Sequence, residues 1–144
     1  MAGRRWMTAT GLAFAAMALV ACSETPANEF EAGECTDDSL SGVIADIETV
    51  DCDEDHQAEA YAQFDVEGDE FPGEEALTEE VQEGCLGDRF ADYVGVSYDQ
   101  SIYLADGIKP SEESWEGGDR TVICVIGGTT DGSPLEGSAE GTER

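Results

Sequence analysis

The chain has 144 residues, of which 34 are Asp or Glu and 6 are Lys or Arg, so its formal net charge is −28. This length is sufficient for one domain with a modest core. Nucleic-acid binding depends on Lys and Arg that neutralise phosphates, so the charge argues against a nucleic-acid partner. Two interpretations of the charge remain, a cationic partner or solubility in a salty or alkaline habitat. The even spread of acids along the chain favours the second.

The first 22 residues have the pattern of an exported lipoprotein. Two arginines precede an apolar stretch over residues 6–21, and the chain becomes polar directly after Cys22. This arrangement is typical of a secretory signal peptide. The segment Leu-Val-Ala-Cys at 19–22 resembles the lipobox of bacterial lipoproteins, where the signal is removed before the cysteine and its thiol is acylated. We therefore predict a lipoprotein signal peptide over residues 1–21, with an ordinary secretory signal as the alternative.

Acyl chains on Cys22 predict a protein held on the lipid bilayer, at roughly 0.8 kcal/mol per buried CH₂ group. The predicted location is the extracytoplasmic face of the cell membrane. Residues 22–32 are polar and lack a usable period, which predicts a flexible tether. Without the two arginines of the signal, four basic residues face 34 acids and the formal charge becomes −30.

Four cysteines follow the predicted anchor, namely Cys35, Cys52, Cys85 and Cys124. An even number in an exported domain predicts two disulfides, for which three connectivities exist. We predict the pairs Cys35–Cys52 and Cys85–Cys124. Zinc binding is the alternative, but the chain has no C-x-x-C pair and a single histidine, so we predict no metal and no cofactor.

Alternation of apolar and polar residues predicts two strands in the first half of the domain, over Gly42–Val50 and residues 57–66. The acidic segment 51–55 between them predicts a turn, and hence an antiparallel hairpin. In the second strand the predicted inner face consists of Ala58, Ala60, Ala62, Phe64 and Val66. The opposite face contains Glu59 and Tyr61.

A helical stripe predicts one main helix from about Gly73 to Tyr93, bent or broken near Gly84 and Gly87. Its apolar residues are Leu77, Val81, Cys85, Phe90 and Tyr93. The pairing of Cys85 with Cys124 requires Cys85 to share a helix face with Leu77 and Val81.

The rest of the chain predicts shorter elements. Tyr103 and Leu104 belong to a weak strand, Ser111 caps a short helical turn, and residues 120–126 form an apolar strand. From residue 127 onward we predict loop anchored by Leu135, with residues 140–144 as a disordered tail. The fold class is therefore α+β, with a small four-stranded, mainly antiparallel sheet, one main helix packed on a face, and two disulfides.

Several short segments resemble, in order, the septum formation domain family of actinobacteria. The segments are Gly33-Glu34-Cys35, residues 50–61 with Cys52 and His56, Phe71-Pro72-Gly73-Glu74, Tyr93-Val94-Gly95, residues 110–115, residues 118–124, and Leu135-Glu136-Gly137-Ser138. The resemblance predicts a domain over residues 33–139. It implies an extracytoplasmic module associated with cell division septa and no catalytic mechanism. We therefore predict a non-enzymatic interaction module whose partner is an envelope protein or the cell wall.

His56 and Trp115 are the candidate binding residues. As a functional group, His56 would transfer protons or ligate a metal, and the carboxylates near it would favour its charged form. A structural role in the turn is favoured, because no nucleophile accompanies it at a recognisable spacing. Trp115 would line a sugar or peptide groove, but packing at the edge of the core is the favoured interpretation.

Two alternative functions follow from these residues. A cell-envelope hydrolase or transferase would be centred on His56. A weak cation-binding protein would use the acids of residues 51–55, which begin like a calcium loop. That pattern fails at its sixth position, where His56 replaces glycine, and at its twelfth, where Ala62 replaces a bidentate glutamate.

Overall fold

The computed structural model describes residues 24–40 and 46–144. The strands in this part of the chain are β1 (Glu24–Pro26), β2 (Cys35–Thr36), β3 (Asp46–Val50), β4 (Asp55–His56), β5 (Ala58–Asp65), β6 (Tyr103–Ile108), β7 (Thr121–Thr129) and β8 (Leu135–Glu136). Six of them form one sheet in the order β1-β3-β2-β5-β7-β6, and β4 pairs with β8. All pairings are antiparallel. The predicted mainly antiparallel sheet is thus confirmed.

The prediction of four strands was wrong, and so was the predicted hairpin. β2 lies between β3 and β5, so the two predicted strands are not neighbours. The Gly33 N–H donates to the Ala60 carbonyl at 2.7 Å, and the Ala60 N–H donates to the Glu34 carbonyl at 2.9 Å. β1 and β2 are too short to show an alternating pattern, which is why the sequence did not reveal them. Residues 42–45 of the predicted first strand lie outside the described residues.

A bulge in β5 changes which of its side chains share a face. Ala60 is opposite Val125 and Ala62 is opposite Cys124, so Tyr61 is the extra residue. Tyr61 consequently packs in the same apolar cluster as Phe64. The sequence had placed these two side chains on opposite faces, because simple alternation does not anticipate a bulge.

Three α-helices occur in the described part: α1 (Glu74–Cys85), α2 (Asp88–Val94) and α3 (Glu112–Glu116). The predicted main helix is therefore broken, at Leu86 and Gly87. In α3 the Ser111 side chain accepts from the Ser114 N–H at 3.1 Å, and Ser114 bonds back to the Ser111 N–H, which confirms the predicted cap. Two 3₁₀ turns, Ala27–Glu29 and Tyr98–Gln100, complete the helical elements.

Apolar side chains fill both faces of the sheet. The helix-side cluster has as buried members Tyr61, Val66, Leu77, Val81, Cys85, Phe90, Val94, Tyr103, Trp115, Val122, Cys124, Ile126, Leu135 and Ala139. The opposite cluster consists of Ala27, Phe30, Ile47, Ala60, Ile123 and Val125. Helices cover the first face, and the 3₁₀ turn at residues 27–29 contributes to the second.

Both predicted disulfides are confirmed. Cys85–Cys124 joins α1 to β7, and Cys35–Cys52 joins β2 to the turn after β3. Cys85 is buried on the same side of α1 as Leu77 and Val81, as its bond to β7 requires.

The folded domain extends beyond both of its predicted ends. β1 pairs with β3 and Phe30 is fully buried, so residues 24–32 are part of the fold rather than of a flexible tether. The predicted disordered tail is also held in place, because the N–H groups of Gly141 and Glu143 donate to carbonyls of α2. We call residues 135–144 the C-terminal strap.

Cys22 and the predicted signal peptide lie outside the described residues. Among the residues that are described, no helix has both the length and the apolar character needed to cross a membrane.

Candidate functional site

A buried carboxylate, Glu59, joins β5 to the C-terminal strap. Its Oε1 accepts hydrogen bonds from the Tyr93 hydroxyl at 2.6 Å and from the Ser138 hydroxyl at 2.5 Å. Its Oε2 accepts from the Ala139 N–H at 2.8 Å. Glu59 is fully buried, and these three donors offset the cost of removing a carboxylate from water.

Tyr93 is held in its donor form by this arrangement. Burial raises the pKa of the Tyr93 hydroxyl above its ordinary value, and the hydrogen bond to Glu59 raises the pKa further. The neutral phenol therefore persists through the physiological pH range and continues to donate to Glu59.

His56, which belongs to β4, lies next to the Glu59 carboxylate. The imidazole is fully buried, and its Nδ1 is 2.8 Å from the Glu54 carbonyl, so Nδ1 carries a proton and donates it. This bond spans the turn, as the structural interpretation of His56 requires. The other ring nitrogen, Nε2, is the one buried side-chain N or O atom among the described residues that lacks a hydrogen-bond partner. A turn-holding role leaves Nε2 unexplained.

Cys35, His56 and Glu59 meet in the interior. One ligand-type atom from each residue, the Cys35 Sγ, an imidazole nitrogen of His56 and a carboxylate oxygen of Glu59, lies within 4.8 Å of the other two. The pairing of β2 with β5 places Cys35 directly opposite Glu59, and His56 precedes β5 in the chain. We call these three residues the buried triad. In the oxidised chain the Cys35 sulfur is bonded to Cys52 and is not a thiolate ligand.

Sequence reasoning identified two members of the triad and missed the third. Cys35 and His56 stood out because cysteine and histidine are scarce in this chain. Glu59 was one of 34 acids, on the predicted polar face of a strand, where a solvent-facing position is expected. Two sequence signals point to it. The segment that resembles the septum formation family has the pattern Val-x-Cys-x-x-x-His-x-x-Glu from Val50, which ends at Glu59. The flanking residues Ala58 and Ala60 are apolar, and both are buried too.

Trp115 is a packing residue. Its side chain is 3 % exposed, and its Nε1–H donates to the Asp69 carbonyl at 3.3 Å. The guanidinium of Arg120 lies 3.9 Å above the indole ring and donates to the Trp115 carbonyl at 2.7 Å. Trp115 and His56 belong to different elements, α3 and β4, and share no hydrogen bond among the described residues.

An open surface pocket of about 410 Å³ lies beside Arg120. Its lining consists of Asp65, Ser114, Gly117, Gly118, Asp119, Arg120 and Thr121. Each of its two acids has a carboxylate oxygen engaged by Thr121, the hydroxyl with Asp65 and the N–H with Asp119, both at 3.0 Å. The pocket is therefore a surface hollow whose polar groups mainly hold the loop together.

The structure of residues 51–62 also differs from that of a calcium-binding loop. The Asp51 Oδ1 accepts from the Asp53 N–H at 3.0 Å, so one of the expected ligands supports the turn itself. The segment continues into β4 and β5, whereas a helix follows the loop of an EF-hand.

The comparison with protein families covers nearly all of the described domain. The family model described as septum formation matches residues 32–143. This range includes the buried triad, both disulfides and most of the C-terminal strap. No curated protein and no solved structure matches the chain. Since the family model covers well over half of its residues, the chain belongs to the septum formation family.

Proposed function

We propose that this protein is a lipid-anchored, non-catalytic interaction module of the cell envelope that acts in cell division. Membership of the septum formation family is the observation that carries the proposal. The family description concerns a cellular process, and the module would serve it by contacting an envelope protein or the cell wall.

The cysteines support an extracytoplasmic location. Both disulfides lie in the folded domain, and disulfides persist in oxidising compartments outside the cytoplasm. The lipobox-like segment at 19–22 precedes the domain, so acylation of Cys22 would place the domain at the outer face of the membrane. β1 begins at Glu24, two residues after this cysteine, which would keep the domain close to the bilayer.

The burial of His56 supports a non-catalytic role. A general base must come within about 2.6–3.2 Å of the proton that it removes, directly or through one water. The His56 imidazole is fully buried, and its backbone pairs with Leu135 of the C-terminal strap. A hydrolase centred on this residue would have to displace the strap before each turnover.

The proposal is tested in the native cell with a deletion strain and three complementing genes. We expect deletion to disturb septum placement, and a fluorescent fusion of the wild-type protein to concentrate at septa. The Cys22→Ser protein should leave the membrane and fail to complement. The His56→Gln protein should stay anchored and complement fully.

Three outcomes contradict parts of this proposal. Normal septa after deletion, with an evenly distributed fusion, would remove the division role. Membrane retention of the Cys22→Ser protein would remove the lipid anchor. Loss of complementation by a folded, anchored His56→Gln protein would favour the hydrolase alternative.

A further inference from the structure

We propose that reduction of the Cys35–Cys52 disulfide turns the buried triad into a binding site for a divalent ion of the zinc class. The ligands would be the Cys35 thiolate, the His56 Nε2 and the Glu59 carboxylate. This site is independent of the proposed role in cell division.

The unpartnered nitrogen of His56 is the first reason. Nδ1 donates to the Glu54 carbonyl, which leaves Nε2 as the ring nitrogen available to a ligand, and Nε2 is buried with no hydrogen-bond partner among the described residues. Metal-bound histidines commonly donate their other ring N–H to a carbonyl or carboxylate, which fixes the ring in this way. The hydrogen bond of Nδ1 thus fixes the His56 ring and leaves Nε2 free to ligate.

The spacing of the three residues is the second reason. Their ligand atoms lie within 4.8 Å of one another. In a tetrahedral zinc site with bonds of about 2.0–2.3 Å, neighbouring ligand atoms are roughly 3.3–3.8 Å apart. The triad must therefore contract by at most about 1–1.5 Å. Release of Cys35 from its bond to Cys52 gives the sulfur the freedom to move by that amount.

Charge balance is the third reason. A thiolate and a carboxylate carry two negative charges, which a divalent cation neutralises, and a neutral imidazole adds none. The filled site is therefore uncharged overall, and an uncharged group is far less costly to bury than an isolated ion. Sulfur, nitrogen and oxygen ligands together suit zinc better than the oxygen-seeking calcium and magnesium ions.

The unequal exposure of the two cysteines allows this step to occur in the folded protein. Cys52 is partly exposed whereas Cys35 is fully buried, so a dithiol reductant meets the Cys52 sulfur first. A thiolate of the reductant attacks the Cys52 Sγ, the S–S bond breaks, and Cys35 leaves as a thiolate. The second thiol of the reductant then attacks the mixed disulfide, which releases Cys52 and leaves the reductant oxidised. The Cys35 thiolate is thus generated inside the triad.

The experiment compares two variants of the whole purified chain, Cys52→Ser and Cys35→Ser. Both lack the same disulfide and both retain Cys22, but the first alone has the Cys35 thiol. We titrate each with Co²⁺ and follow thiolate-to-cobalt charge-transfer absorption and the visible bands of a tetrahedral site, then displace Co²⁺ with Zn²⁺. The double variant Cys52→Ser/His56→Gln tests the imidazole ligand.

The expected result is a one-to-one complex of Cys52→Ser, with affinity more than ~100-fold above that of Cys35→Ser and of the double variant. Equal spectra and affinities in the two single variants would overturn the proposal. If both variants are unfolded without metal, Zn²⁺ should restore the circular dichroism of Cys52→Ser and not that of Cys35→Ser. Failure of Zn²⁺ to distinguish them in that case would overturn it equally.

Discussion

The two disulfides lie in contrasting surroundings. Cys85 and Cys124 are both fully buried within the helix-side cluster, where α1 already packs against β6 and β7. Cys35 is buried but its partner Cys52 is partly exposed, and the bond lies beside the polar groups of the buried triad. The same covalent link therefore reinforces an apolar core at one place and is exposed to reductants at the other.

Removal of each disulfide separately should give the largest effects on stability. The loops that they close span 39 and 17 residues. The chain-entropy relation then predicts losses of about 4 kcal/mol for Cys85→Ala/Cys124→Ala and about 3 kcal/mol for Cys35→Ala/Cys52→Ala. Urea unfolding of the two variants and the wild type measures both values. A larger loss at the Cys35–Cys52 bond would reverse the comparison.

The stability of the Gly84→Ala variant tests how tightly the helix-side cluster is packed. A Cβ at Gly84 would overlap the ring of Phe64, which packs directly on α1. Relief of this overlap requires the Phe64 ring to leave its position or α1 to shift against the sheet, for which we expect a loss of about 1–3 kcal/mol. Gly127→Ala is the matched control, because a Cβ there meets nothing within 4 Å. Equal unfolding midpoints for the two variants would show that Phe64 does not pack closely on α1 at this point.

Glu59→Gln tests the polar side of the comparison. The glutamine carries an N–H₂ group in place of one acceptor oxygen, so one of the donors around residue 59 loses its partner. We expect a loss of about 1–2 kcal/mol. Hydrogen exchange should also become faster at the Gly141 and Glu143 amides of the C-terminal strap, which donate hydrogen bonds to carbonyls of α2. Glu136→Gln, at an exposed position of the strap, is the control and should leave both measurements unchanged. Unaltered exchange in Glu59→Gln would contradict the proposal that Glu59 holds the strap against the domain.

Stability should also fall at alkaline pH. Burial raises the pKa of Tyr61 and of Tyr93 above the ordinary value, so both retain their protons in the folded chain and lose them more readily in the unfolded chain. Their contribution is complete below the unfolded pKa of about 10 and declines above it. Urea unfolding at pH values from 8 to 11, which lie on both sides of the unfolded pKa of about 10, measures this decline in stability. Tyr61→Phe should reduce its slope, and an unchanged slope would assign the decline to other groups.

The smallest effect on stability is expected from Asp131, in the loop between β7 and β8. A hydrogen bond from the Thr129 hydroxyl, followed by those from Ser133, lowers the pKa of the Asp131 carboxyl to about 2. The stabilisation from this group is complete above the unfolded pKa of about 3.9 and is lost as the pH falls toward 2. Asp131→Asn should remove that part of the acid dependence, as thermal unfolding between these pH values would reveal. The fully exposed position of Asp131 explains why a slight change is expected.

Several features of the fold were predictable from local patterns. The cysteine pairs, the stripe of Leu77, Val81 and Cys85, and the Ser111 cap follow from composition, helical spacing and capping chemistry. Each depends on residues close in the chain or, for the disulfides, on a small number of combinations. The order of short segments likewise predicted the family that the comparison shows.

The buried triad was not predictable in this way. Cys35 meets Glu59 only because β2 inserts between β3 and β5, a pairing that joins residues 24 positions apart. The bulge at Tyr61 and the folded C-terminal strap likewise depend on contacts with distant segments. Alternation of apolar and polar residues indicates whether a strand has one solvent-exposed face and one buried face. It contains no information about which strand lies next to it.

The sequence by itself determined the acidic surface, the cysteine framework, the helical stripe and the family, because these depend on composition and on short-range spacing. The tertiary structure alone decided that Glu59 is an internal carboxylate and that the Nε2 of His56 is left without a partner. The physical reason is that burial and hydrogen-bond satisfaction belong to the assembled sheet and strap, and not to any one segment.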